Sequence, residues 1–202
     1  MSLPDALCRL LSARDQLSLV SIASDGAATV GPPPPGTLLP GSFAPLHRGH
    51  EQLAEVVAQL LGQAVVFELS VVNVDKPPLD RAEVQRRMAQ FRGRWPVVLT
   101  RAPTFVEKAR LLPGRAFAIG YDTAVRLVDP RYYGGEQAAA VAALDEMRAL
   151  GCRFLVAGRW QAGAFRTLAD VRLQSSFADM FESIPEERFR VDLSSSDLRE
   201  GR

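Results

Sequence analysis

A chain of 202 residues is long enough for one α/β domain of ordinary size, or for one domain with a small appendage. Its charges nearly balance, at a formal +1, which excludes the basic excess of a nucleic-acid-binding surface, and its 47% hydrophobic content excludes a disordered chain. No apolar stretch approaches the length of a membrane span and no secretion leader is evident, so we expect a cytoplasmic protein without a membrane partner. Cys8 and Cys152 lack metal-ligand spacing and are expected to be reduced thiols.

The first 36 residues are predicted to form an N-terminal extension. Residues 2–14 have capping-box spacing and an apolar helical face, and residues 17–23 alternate in the manner of a strand. The GPPPPG run at residues 31–36 cannot lie inside a central strand or a helix. We interpret this run as a stiff surface connector rather than as a ligand for a partner protein, and we place a boundary there, with the main domain at residues 37–202.

From residue 37 onward, strand and helix patterns alternate. Continuous apolar runs rich in valine are typical of strands covered on both sides, and apolar residues three and four apart are typical of helices packed on them. The predicted strands lie at residues 37–39, 64–72, 96–100, 116–119, 153–157 and 188–191, and the predicted helices begin near residues 50, 80, 104, 123, 136 and 194. Residues 168–187 give no clear pattern. The alternation predicts an α/β fold, a Rossmann-like and mostly parallel sheet with helices on both faces.

Polar turns follow several of the predicted strands. These turns lie at residues 41–50, 73–76, 120–122, 158–159 and 194–199. Because ligands bind beyond the carboxyl ends of the strands in such sheets, we expect the turns to converge on one crevice.

The turn at residues 41–50 contains the only two histidines of the chain, His47 and His50. Gly41 lets the backbone approach a ligand closely, and the helix that follows offers free N–H groups and a positive dipole end to an anion. Two imidazoles three residues apart can donate hydrogen bonds to one phosphate as charge builds during transfer. The turn therefore predicts a phosphate site. A helix start with two exposed histidines explains less of the pattern.

The same turn, GSFAPLHRGH, resembles the HxGH signature of the nucleotidylyltransferase superfamily, whose members transfer a nucleoside monophosphate from a triphosphate and release pyrophosphate. The sequence LSSSDLR at residues 193–199 resembles the second signature of that superfamily, an ISSTxxR-type motif. Over about residues 38–199 the chain is most similar to nicotinamide-nucleotide adenylyltransferases, in a branch related to CinA-like fusion proteins. The resemblance implies transfer of AMP from ATP, accompanied by Mg²⁺, to nicotinamide or nicotinate mononucleotide.

The resemblance also implies a role for each matching residue. His50 contacts the α-phosphate and stabilises the transition state, and His47 holds the triphosphate beside it. The expected nucleotide-binding residues are Ser195, Ser196 and Arg199 at the β- and γ-phosphates with Lys76 adding charge, Gly120 and Asp122 at adenosine or the mononucleotide, and Gly41, Ser42 and Phe43 along the adenylate. Neither a protein nucleophile nor a metal ion held by protein side chains is expected.

Several residues of the polar turns also have purely structural interpretations. Ser194 and Asp197 form a capping box, which is a sufficient reason for serines at a helix start. Lys76 fits a solvated loop lysine equally well, Asp122 fits a helix cap, and Arg159 fits an ordinary surface charge.

Ala44 departs from the family, which usually has Asp or Asn at that place to brace the turn. The departure leaves a nucleotide-binding module with weak turnover as one alternative. The motifs do not separate ATP from CTP, nor a pyridine mononucleotide from another phosphorylated acceptor such as phosphopantetheine or a polyol phosphate. The oligomeric state is also open, a homo-oligomer included. A class I aminoacyl-tRNA synthetase is disfavoured because the chain lacks the size, the lysine-rich signature and a basic surface for tRNA.

Overall fold

An eight-stranded sheet forms the centre of the molecule. The computed structural model describes residues 2–12, 17–74, 77–161 and 163–190. Within these residues the strands are β1 (Leu19–Ile22), β2 (Ala28–Val30), β3 (Thr37–Pro40), β4 (Val65–Ser70), β5 (Val97–Thr100), β6 (Ala116–Gly120), β7 (Arg153–Ala157), β8 (Arg159–Gln161), β9 (Ala164–Arg166) and β10 (Phe181–Ser183). The helices are α1 (Leu3–Leu11), α2 (Arg48–Leu61), α3 (Arg81–Met88), α4 (Phe105–Leu111), α5 (Tyr121–Val128) and α6 (Gln137–Ala149), and short 3₁₀ turns lie at Pro130–Tyr133, Leu168–Asp170 and Ser175–Met180.

The strand order of the sheet is β10-β7-β6-β3-β4-β5-β1-β2, and β8 pairs with β9 in a separate hairpin. The strands from β10 to β5 are parallel neighbours, whereas β1 is antiparallel to both β5 and β2. The chain leaves β3 on one side through β4 and β5 and returns on its other side with β6 and β7. The predicted mostly parallel α/β sheet is therefore confirmed, and its topological switch point lies between β3 and β6.

Helices cover both faces of this sheet, as predicted. In β4, Phe67 belongs to one core cluster and Val66 to the other, because successive side chains of a strand point to opposite faces. Helices α1 to α3 pack on the first face and α4 to α6 on the second. Their buried side chains include Leu7, Leu53 and Val84 on the first face and Ala109, Leu127 and Met147 on the second. Within the described ranges, none of these helices is long and apolar enough to cross a membrane.

A buried ion pair joins β4 to α4. Lys108 Nζ donates to Glu68 Oε1 at 2.8 Å, and the side chains are only 6% and 1% exposed. The hydroxyl of Thr100 donates to the same carboxylate, and Lys108 also donates to the carbonyl of Ala102 at 2.8 Å. These extra hydrogen bonds satisfy charges that would otherwise be costly to remove from water.

The proline connector is fixed to the main domain by Arg115. Its guanidinium donates to the carbonyls of Pro33 at 2.7 Å and Pro34 at 2.8 Å, and partial burial lowers the pKa of Arg115. Gly36 leaves no room for a side chain, because a Cβ there would lie 2.4 Å from a carbonyl oxygen of the neighbouring strand entrance. The N-terminal segment continues the sheet through β1 and β2 and enters the same core through α1.

One predicted strand is wrong. Residues 188–190, the described part of the predicted strand 188–191, form a turn and irregular chain, and the last strand of the described chain is β10. Strand β10, like β2, β8 and β9, has three residues, too few for a periodic pattern to be recognised. Helix α5 begins at Tyr121 rather than near residue 123, directly after β6.

Candidate active site

A cleft of about 290 Å³ opens at the carboxyl ends of β3, β6 and β7. This is the switch point of the sheet, where ligands bind in open α/β folds. Of the five polar turns predicted to converge, the described residues of three meet there. Residues 73–74 are not among the lining residues, and the turn at residues 194–199 lies outside the described chain. The glycine, histidine and charged lining residues of the cleft include Gly41, His47, His50, Gly120, Asp122 and Arg159.

His47 and His50 form one stacked unit at the start of α2. His47 is the N-cap residue and His50 lies in the first turn, with ring centroids 3.8 Å apart and ring planes 27° apart. The backbone N–H of His47 donates to Nδ1 of His50 at 3.3 Å. A neutral imidazole that accepts at Nδ1 carries its proton on Nε2, so His50 has Nε2–H available as a donor.

Burial makes both imidazoles weak bases. Desolvation, with a smaller contribution from the neighbouring His47, lowers the pKa of His50 to about 3. Desolvation also lowers the pKa of His47, against the opposing influence of Glu51. Both rings are therefore mainly neutral at pH 7 in the free protein, and a bound anion would raise both pKa values.

The ring of Phe43 supports His50 from the core. Phe43 has a φ of 47°, and its fully buried ring meets the His50 ring edge-on with centroids 5.1 Å apart. A Cβ at Gly41 would lie 2.6 Å from the Phe43 ring, so this position requires glycine. Gly41 itself lines the cleft. The side chain of Phe43 thus packs behind the His50 ring, and the predicted contact of residue 43 with the adenylate stays a prediction.

Gly120 and Asp122 line the cleft from β6 and α5. Gly120 has an extended backbone with φ −80°, and a Cβ built there meets no atom within 4 Å, so packing does not demand its glycine. Asp122 forms an ion pair with Arg159, and both side chains are about one-third exposed, at 36% and 35%. The pair places a cation beside the one carboxylate of the described cleft lining, which reduces its repulsion of phosphate.

Ser42, a predicted nucleotide-binding residue that the structure describes, lies at the surface of the turn and does not line the cleft. Ser42 is exposed, and its carbonyl accepts a hydrogen bond from Arg87 Nη1 at 2.8 Å. The predicted phosphate ligands that lie outside the described residues are Lys76, Ser195, Ser196 and Arg199.

The whole cleft falls within one family match. A family model described as cytidylyltransferase-like matches residues 38–201, which is most of the chain. The chain belongs to the cytidylyltransferase-like family. No curated protein matches it. Membership in the cytidylyltransferase-like family indicates nucleotidyl transfer and agrees with the Rossmann-like sheet, and it leaves the nucleotide and the acceptor to be assigned.

Two residues that contact the cytidylyltransferase-like cleft or its histidine turn are missing from the predicted site residues. Arg159 is one of them, although its position in a polar turn after β7 indicates that it lies at this edge of the sheet. The other is Gln90, whose side chain reaches the histidine turn from the end of α3. Its Oε1 accepts from the Leu46 N–H at 2.8 Å, and its Nε2 donates to the Phe43 carbonyl at 3.0 Å. Nothing in the local sequence around Gln90 indicates a contact so distant along the chain.

A larger cavity, of about 620 Å³, lies away from this cleft of the cytidylyltransferase-like domain. It is bounded by α5, α6 and the segment near Arg172, and neither histidine lines it. Among residues 2–12, 17–74, 77–161 and 163–190, no three His, Cys, Asp or Glu side chains are grouped so that they could hold a metal ion. The histidine cleft therefore remains the better candidate for phosphate chemistry.

Proposed function

We propose that this protein is an adenylyltransferase that transfers AMP from ATP to nicotinamide or nicotinate mononucleotide and releases pyrophosphate. Family membership supports nucleotidyl transfer, and the sequence resemblance supports the pyridine acceptor. One observation carries the proposal: two stacked, mainly neutral imidazoles stand at the N-terminus of α2, at the switch point of the sheet.

The proposed reaction needs no protein nucleophile. An oxygen of the acceptor's phosphate attacks the α-phosphorus of ATP in line, a new P–O bond forms, and the bond from the α-phosphorus to the bridging oxygen of the β-phosphate breaks. Catalysis then comes from positioning and from stabilising charge on the phosphate oxygens. His50 donates from Nε2–H to an α-phosphate oxygen, and the free N–H groups of the first turn of α2 add further donors.

The β- and γ-phosphates are assigned to residues of the second predicted signature and to one lysine of the turn at residues 73–76. Ser195, Ser196 and Arg199 hold the β- and γ-phosphates as pyrophosphate leaves, with Lys76 adding positive charge. Mg²⁺ belongs to the substrate in this proposal: it is carried by the triphosphate, with water completing its octahedral shell.

Gly120 and Asp122 contact adenosine or the mononucleotide. The absence of a side chain at Gly120 supports this assignment, because the space a Cβ would occupy is open. A ligand phosphate that approaches Arg159 would compete with Asp122 for the guanidinium.

The decisive experiment is a panel of triphosphates and acceptors. Purified protein should release pyrophosphate from ATP only when nicotinamide or nicotinate mononucleotide is present. Release with CTP, phosphopantetheine or a polyol phosphate instead would assign a different transferase. ATP binding by calorimetry without product from any acceptor would indicate a nucleotide-binding module.

Substitution of His50 tests the mechanism. His50→Asn removes the Nε2–H donor and should lower kcat by about 10²- to 10³-fold, the usual cost of losing one donor to a developing charge. Glu55→Gln, at an exposed position of the same helix, is the control and should retain wild-type kcat. A fully active His50→Asn variant would contradict the mechanism.

A further inference from the structure

The segment from Phe43 to Leu46 receives its hydrogen bonds from a side chain remote in the sequence. Within the described chain, backbone hydrogen bonds reach Gly41, which donates to the Glu68 carbonyl, and His47, whose carbonyl accepts from His50. Residues 44 and 45 form a turn, but residues 42–46 make no backbone–backbone hydrogen bond of ordinary length and angle in the described chain. The methyl group of Ala44 cannot form a hydrogen bond, so Ala44 offers no polar support to the turn.

Gln90 supplies hydrogen bonds to this segment on both sides of Ala44. Its Oε1 accepts from the N–H of Leu46 at 2.8 Å, and its Nε2 donates to the carbonyl of Phe43 at 3.0 Å. The same Nε2 donates to the carbonyl of Arg87 at 3.1 Å, which fixes the amide to the C-terminal end of α3. Gln90 is partly buried, so these bonds are shielded from competing water.

Arg87 adds a second tether from the same helix end. Its Nη1 donates to the carbonyl of Ser42 at 2.8 Å, while its Nε donates to Glu83 at 2.7 Å. Glu83 also binds Arg86 through two hydrogen bonds of 2.7 Å. Arg87, in the last turn of α3, and Gln90, two residues after that helix, therefore contact the main chain of the histidine turn at residues 42, 43 and 46.

The two groups that Gln90 binds, the Phe43 carbonyl and the Leu46 N–H, belong to residues that contact or adjoin the two histidines. Phe43 carries the ring that packs edge-on against His50. Leu46 precedes His47, whose N–H donates to Nδ1 of His50. A shift of either tethered group would thus change the ring contact or the hydrogen bond that orients His50.

We infer that Gln90 is a positioning residue, whose side-chain amide holds residues 43–46 so that His47 and His50 keep their stacked geometry at the cleft. Its effect on turnover rests on the proposed function. Its effect on the two rings does not, and can be measured without any substrate.

Imidazole nitrogen NMR is a direct readout, because the chain contains no other histidines. Gln90→Met keeps the approximate length of the side chain and removes both hydrogen bonds. Gln90→Glu keeps the acceptor for Leu46 and loses the donor to Phe43. Gln85→Ala, at an exposed position of α3, is the matched control.

In the wild-type protein, His50 should give one protonated nitrogen, Nε2, and one unprotonated nitrogen, Nδ1. We expect Gln90→Met to move both His50 nitrogen signals toward the average of the two tautomers, Gln90→Glu to do so partly, and Gln85→Ala to leave them unchanged. If the protein is a transferase, Gln90→Met should lower kcat by about 10- to 100-fold with a smaller change in KM for ATP.

The outcomes separate this inference from the proposed function. Altered imidazole signals in a protein without transferase activity would support the positioning role and reject the function. Wild-type imidazole signals and kcat in a folded Gln90→Met variant would overturn the positioning role. If Gln90→Met does not fold, Gln90→Glu decides in the same way, since unchanged signals and kcat in that variant would also overturn it.

Discussion

Protonation of His50 should destabilise the folded protein at mildly acidic pH. The pKa of His50 is about 3 in the folded chain, against an ordinary value of about 6.5 in the unfolded chain. Between pH 6.5 and pH 3 His50 binds a proton in the unfolded chain but not in the folded chain. The unfolding free energy therefore falls as the pH falls, and the loss is complete near pH 3. Between pH 7.5 and pH 5 this one group removes about 2 kcal/mol.

Urea unfolding of wild type and His50→Asn measures this loss. Asn lacks a titrating group, and its Oδ1 can replace Nδ1 as the acceptor for the His47 N–H. The unfolding free energy of wild type should fall by about 2 kcal/mol more than that of the variant between pH 7.5 and pH 5. His47 and the carboxylates titrate in both proteins and largely cancel in the difference. A difference below about 0.5 kcal/mol would refute the conclusion that His50 is kept neutral by burial.

Three further substitutions test the fold and the cleft. Gly120→Ala should leave the unfolding free energy within about 0.5 kcal/mol, because the added Cβ meets no protein atom. The same Cβ enters the cleft and should weaken the binding of ATP or of the mononucleotide in calorimetry, and unchanged affinity for both would contradict the assignment of Gly120. Gly41→Ala should cost about 1–3 kcal/mol in urea unfolding by overpacking against Phe43, and wild-type stability would contradict that contact. Lys108→Met should cost about 3 kcal/mol or more by leaving the buried charge of Glu68 unpaired, and adding Glu68→Gln should recover most of the loss.

The parallel part of the sheet was predictable because its strands are covered on both faces. All of Val97–Thr100 and the first five residues of Val65–Ser70 are buried, and such continuous runs can be recognised without knowledge of the strands they pair with. Phe181–Ser183 is different, because only its first residue is buried and because its partner strand β7 is remote in the sequence. A strand of that kind is specified by the assembled sheet.

The histidine turn was predictable for a related reason. His47, His50 and Gly41 are close in sequence, so their chemistry could be read from spacing alone. The burial of Phe43 could not, because its φ of 47° and its packing against a remote phenylalanine, Phe67, exist only in the folded chain. The role of Gln90 could not be predicted for the same reason, because its hydrogen bonds join residues 44 and 47 positions apart in the sequence.

The antiparallel strand β1 has a consequence for the solubility of the molecule. It pairs with β5 along the whole strand, from Leu19 opposite Thr100 to Ile22 opposite Val97. The family match begins at residue 38 and so leaves out α1, β1 and β2. A chain shortened to that match would present β5 as a bare, apolar sheet edge with unsatisfied N–H and C=O groups, ready to pair with another copy. We therefore expect β1 and β2, which lie outside the family match, to protect this sheet edge from pairing with another copy.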